Sequence, residues 1–177
     1  GDTTPTGGYV LGGSDHEQAG YVHFDELTKL WNLQADRDPD KVVIAEPECA
    51  MVPLTIWDAR EHLQDCHVYW LVDNCPSLHA LVKGASGNRA MDRAVALMAI
   101  MCFVLNCTVY YDFIDSDSNF ADGISRELEA DRWTILHSIP AKAMTAPESW
   151  WTDDLLQLWH LFESVKRWGE SVFWRPL

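Results

Sequence analysis

The sequence is short of positive charge, has no paired-cysteine pattern and contains no apolar run long enough to cross a bilayer. Thirteen Lys and Arg stand against 27 Asp and Glu, a formal net charge of -14, which argues against the non-specific grip on a polyanion that a basic surplus provides. The five cysteines, Cys49, Cys66, Cys75, Cys102 and Cys107, are odd in number and show no Cys-x-x-Cys spacing. Neither a disulfide framework nor a zinc site is expected, and they read as reduced core residues. The longest apolar run, Ala94 to Leu105, reads as a core helix rather than a membrane span. No secretory leader is recognisable, so a cytoplasmic or nuclear location without a membrane partner is expected.

What is present is a chain of 177 residues, 47% apolar, enough for one sizeable core. Its organising stretch is Val68-Tyr-Trp-Leu-Val-Asp-Asn74, a buried strand that delivers Asp73 to the open edge of a sheet. Asn74 then serves either as a helix cap or as a donor to a base or sugar edge. Before it, Tyr9 to Leu11 and Tyr21 to Phe24 predict a hairpin, with a third strand at Val42 to Ile44. A helix opens at Glu46-Pro47-Glu48, since proline is tolerated and acids are favoured in a first turn. Pro53 is expected to bend this helix or delay its start. Further helices are predicted at Pro76 to Val82, Arg89 to Asn106 and Ala121 to Glu129, and a strand at Thr108 to Ile114. In the tail, Trp150, Trp151, Leu155, Trp159, Phe162 and Val165 recur at helical spacing. The order indicates an α/β fold with a mixed sheet and helices on its faces.

Four acids arrive from four separate elements: Asp2 before the first strand, Glu48 in the first helical turn, Asp73 at the strand end and Asp122 in the last short helix. Clustered carboxylates repel unless cations neutralise them, and magnesium suits a few carboxylates plus phosphate oxygens. Glu46 competes with Glu48 for the second position. Asp115 and Asp117 fit turn chemistry, and Asn119 is expected to hold the turn that presents Asp122.

The segments carrying these acids, Asp2-Thr-Thr-Pro-Thr-Gly7, Glu48-Cys-Ala-Met51, Val72-Asp73-Asn74 and Asn119-Phe-Ala-Asp-Gly-Ile-Ser-Arg126, resemble in order the four acidic motifs of the ribonuclease H domain of retroelement and pararetrovirus reverse transcriptases. The resemblance implies a ribonuclease H-like fold over residues 1–127, a five-stranded mixed sheet flanked by helices, followed by a Trp-rich helical extension over 128–177 packed on the domain or a partner. It implies Asp2, Glu48, Asp73 and Asp122 as ligands of two magnesium ions, with manganese as a substitute. The implied activity is endonucleolytic cutting of the RNA strand of RNA–DNA hybrids during reverse transcription, leaving 5′ phosphate and 3′ hydroxyl ends. An attached polymerase domain or other polyprotein segment is the implied protein partner. Asn74, Lys83, Arg89 and Arg93 are the candidate hybrid contacts, and Arg126 pairs with an acid or a phosphate. The chain departs from the family in Thr3, Pro47 and Pro53, and in having no histidine between His79 and His137. The alternative is a ribonuclease H-like scaffold that binds protein or RNA with weak or no cutting.

Overall fold

The computed structural model describes residues 5–23, 45–145, 163 and 167. Among these, β1 (Pro5–Gly12) and β2 (Glu17–His23) form the expected hairpin, longer at both strands than predicted. The strand expected at Val42 to Ile44 and the tryptophan stripe of the tail lie outside the described residues, as does Asp2. Helix α1 (Ala45–Asp58) follows, then β3 (His67–Val72), α2 (Cys75–Lys83), α3 (Arg89–Leu105), β4 (Thr108–Phe113) and α4 (Ala121–Glu127). Two further elements, α5 (Arg132–Leu136) and β5 (Ala141–Ala143), lie beyond the expected end of the domain at 127.

The fold is mixed α/β, but its strands do not form one five-stranded sheet. Among the described residues there are two sheets, β1-β2-β5 and β3-β4. In the first, β1 and β2 are antiparallel, while β5 runs parallel to β2 with Ala19 opposite Ala141. In the second, β3 and β4 are parallel, with Tyr69 opposite Tyr110. The predicted extension therefore begins inside the folded unit, because residues 128–144 supply a strand and three buried apolar side chains, Ile139, Ala141 and Met144.

Alternation along the hairpin builds two cores, one on each face of the first sheet. Tyr9 and Val22 join the larger core with Cys49, Val52, Leu54 and Ile56 of α1, Val68 and Val72 of β3, and Leu97, Met101 and Leu105 of α3. Ala19 and Tyr21 point the other way, into a smaller core with Ile124, Ile139 and Ala141. Two adjacent glycines let helices approach both faces at the same level of β1. A Cβ on Gly7 falls 2.5 Å from Met51 Sδ of α1, and one on Gly8 falls 2.7 Å from Ile124 Cγ2 of α4. Gly8→Ala is therefore expected to destabilise the protein by about 1–2 kcal/mol through overpacking. Gly12→Ala, whose Cβ meets nothing within 4 Å, should stay within about 0.5 kcal/mol of the parent. Urea unfolding of the two variants checks the contrast, and equal midpoints would remove this account of the glycine pair.

Local chemistry explains the element ends. Helix α1 starts where predicted despite Pro53, which is buried inside it. The Thr55 hydroxyl in the following turn donates to the Met51 carbonyl at 2.8 Å. Tyr9 Oη donates to Asp58 at 2.5 Å, tying the hairpin to the last residue of α1. Asn74 caps α2 by accepting from the Ser77 N–H at 2.9 Å, and Asn88 caps α3 by accepting from the amides of Ala90 and Met91. The cysteines are all free thiols; Cys49 and Cys107 are buried as expected, whereas Cys75 is exposed. No described helix is long and apolar enough to cross a membrane.

Candidate active site

Glu48 and Asp73 are brought together from α1 and the end of β3. Glu48 lies in the first turn of its helix, three residues before Met51 and so on the same flank. Since Met51 abuts Gly7 of β1, that flank lies against the strand into which the Asp2 segment leads. Asp73 follows Val72, whose burial anchors the strand end. Burial pushes the Glu48 carboxyl up from the usual 4.5 to about 7, with the Asp73 charge adding to the rise and a hydrogen bond from Asn74 opposing it. Glu48 Oε2 is buried without a hydrogen-bond partner among the described residues. With one oxygen unsatisfied, the Asn74 hydrogen bond compensates the Glu48 charge only in part.

The competing acid, Glu46, is turned elsewhere. It is only 4% exposed, and its Oε1 accepts from Asn88 Nδ2 at 2.7 Å. It thereby joins the starts of α1 and α3. Of the two glutamates, Glu48 is the one whose charge is coupled to Asp73.

Asp122 enters the neighbourhood through Asn119. Asn119 Nδ2 donates to Asp73 Oδ2 at 2.8 Å, while its Oδ1 accepts from the Ala121 N–H at 3.0 Å. Its carbonyl accepts from the Asp122 N–H at 3.1 Å. One side chain thus fixes the Asp73 carboxylate and opens α4, the helix that carries Asp122. The Asp122 carboxylate itself pairs with Arg126 at 2.7 Å. Among the described residues, no three His, Cys, Asp or Glu side chains form a group able to hold a metal ion. What is assembled is a carboxylate pair, with a third acid one residue-to-residue link away.

Asn119 holds the turn before Asp122 as the sequence predicts, but its bond to Asp73 is not legible there. The pattern Asn-x-x-Asp marks the turn and carries no signal of a partner 46 residues earlier. Asn119→Ala should cost about 1–2 kcal/mol, from the loss of two hydrogen bonds and the orphaning of a partly buried carboxylate. Denaturant unfolding checks this, and an unchanged midpoint would show that the link contributes nothing.

The remaining candidates are spread more widely. Asn74 has the capping role described above and also bonds Glu48. Lys83 is the exposed last residue of α2, about 13 Å of helix from the Asn74 end. Arg89 is exposed in the first turn of α3, and Arg93 is half-buried one turn later. Asp115 and Asp117 flank or join an exposed single 3-10 turn, as turn chemistry predicts.

Compared with models of known protein families, with curated proteins and with solved structures, the chain matches none.

Proposed function

We propose that the chain is a ribonuclease H-type domain that hydrolyses the RNA strand of RNA–DNA hybrids with divalent cations. The observation that carries this reading is the approach of Glu48 to Asp73, together with a Glu48 oxygen that is buried without a hydrogen-bond partner among the described residues. The Asp73 charge disfavours ionisation of Glu48, and a cation removes that conflict. The donor set is all oxygen, which suits magnesium or manganese. The order of the acidic segments along the chain supports the family assignment, and with it a ribonuclease H-like fold.

On this reading, Glu48 and Asp73 hold the cations, the order of the acidic segments adds Asp2, which lies outside the described residues, and Asp122 joins by exchanging Arg126. That exchange is open to it because its side chain is 34% exposed. Divalent cations held by these carboxylates would supply charge neutralisation at phosphate and a more acidic water. The protein's own residues position: Asn119 fixes the Asp73 carboxylate, and Asn74 holds Glu48 while capping α2. Lys83, Arg89 and Arg93 contribute positive charge toward hybrid phosphates.

The engagement of Asp122 with Arg126 favours, as a second reading, a scaffold that binds without cutting. Incubation with hybrid, duplex RNA and duplex DNA in magnesium separates the two. Cutting confined to the RNA strand of the hybrid, leaving 5′ phosphate and 3′ hydroxyl ends, is expected. Intact hybrid after prolonged incubation with saturating magnesium or manganese would refute the enzyme.

A further inference from the structure

A column of aromatic rings begins at Phe120, the residue after Asn119. Phe120 and Trp133 stack with centroids 4.9 Å apart and planes 14° apart, and Trp133 and His137 with centroids 4.1 Å apart and planes 23° apart. Phe120, at one end, is 60% exposed, and His137, at the other, is exposed. The column is held rigidly from below. Asp131, only 4% exposed, caps α5 by accepting from the Thr134 N–H at 2.8 Å. Thr134 is fully buried, and His137 Nδ1 lies 2.8 Å from the Trp133 carbonyl oxygen.

We propose that Phe120, backed by Trp133 and His137, is a stacking platform for a nucleobase of the hybrid at the edge of the acidic site. This inference rests on the ribonuclease reading and names a binding residue for it. Its position carries it: Phe120 directly follows Asn119, whose side chain grips Asp73, and precedes Asp122 by two residues. A ring so exposed gains little for the fold, yet its neighbours already hold it in the parallel arrangement that a base extends. A base at an end of the hybrid has an uncovered π-face whatever its identity, so such a platform tolerates sequence and needs no positive charge. That suits a chain with a net charge of -14. A purely apolar contact with another protein needs only greasy surface at this position, whereas stacking needs a flat ring.

The test uses the full chain carrying Asp73→Asn, so that hybrid is bound without being cut, and a fluorescein-labelled RNA–DNA hybrid read by anisotropy. Phe120→Leu should weaken binding about tenfold, and Phe120→Trp should not. A hybrid carrying an abasic position, scanned along each strand, should show one position where the loss is already complete. At that position the chain that keeps Phe120 and the Phe120→Leu variant bind alike, the coupling expected of a stacked pair. Melting temperatures of all variants control for folding. Equal binding by the Phe120→Leu chain, or abasic losses that are the same with and without Phe120 at every position, overturns the platform. If the wild-type chain cuts hybrid while those losses stay equal, only the platform falls. If it neither binds nor cuts intact hybrid, the ribonuclease reading falls and the platform with it.

Discussion

Asp73→Asn is expected to lower magnesium-dependent cleavage of RNA–DNA hybrid by about a thousandfold or more, with the fold retained. The substitution keeps the shape of the side chain and an oxygen able to accept from Asn119 Nδ2. It removes the charge that faces Glu48, so the largest loss falls on cation binding and on chemistry at phosphate rather than on packing. Relief of the Glu48–Asp73 conflict should even raise the stability of the cation-free protein. Single-turnover cleavage beside circular dichroism and thermal melting measures both effects. A variant that cuts at the parental rate removes Asp73 from the reaction, and one that unfolds shows that its carboxylate is structural.

Glu48→Gln has the second large effect, and its size depends on pH. The folded protein holds the Glu48 proton up to about pH 7, whereas the unfolded chain releases it near 4.5. Between those values the native state binds more protons than the unfolded state, so stability falls as pH rises. Below 4.5 the carboxyl is neutral in both states and glutamine changes little. Above about 7 the full penalty is present, and removing it should stabilise the cation-free protein by about 2 kcal/mol, a figure already discounted for the side chain's partial exposure. Divalent cation should reverse the ranking. Wild type gains stability with millimolar magnesium or manganese at about pH 8, the gain shrinks on acidification as protons compete for Glu48, and the glutamine variant gains little. Urea titrations at several pH values, with and without cation, test this. Identical cation responses in the two proteins would assign the ion to other residues and favour the scaffold reading.

Much of the architecture could be read from the chain because its strongest signals are local. Apolar runs at His67–Val72 and Arg89–Leu105, and the asparagine at 74, define elements that the structure places within a residue or two of expectation. Of the two effects expected of Pro53, a delayed start does not occur, since the helix runs from Ala45 to Asp58 with the proline buried inside it. Helix α5, with five residues, and strand β5, with three, are too short to display a period, so residues 128–144 read as an extension and not as part of the domain. The split into two sheets is likewise silent in the sequence, since pairing is a long-range property. At the site, the Cys-Ala-Met run after Glu48 already favours it over Glu46, and the fold adds what the sequence does not show: Asn88 engages Glu46, while the Asp73 charge bears on Glu48.

The last-formed strand has a consequence for synthesis. Strand β5 comes from the far end of the described chain and lies alongside β2, near its beginning. The smaller core, which seats the helix carrying Asp122, needs Ile139 and Ala141 as well as Ala19 and Tyr21. A nascent chain therefore emerges from the ribosome with every candidate acid already made but with one edge of β2 uncovered. Such non-local closure is slow and leaves an open strand as a template for misassembly. A fragment ending at Glu127 is held permanently at that stage, which makes it a poor vehicle for assaying the acids it contains.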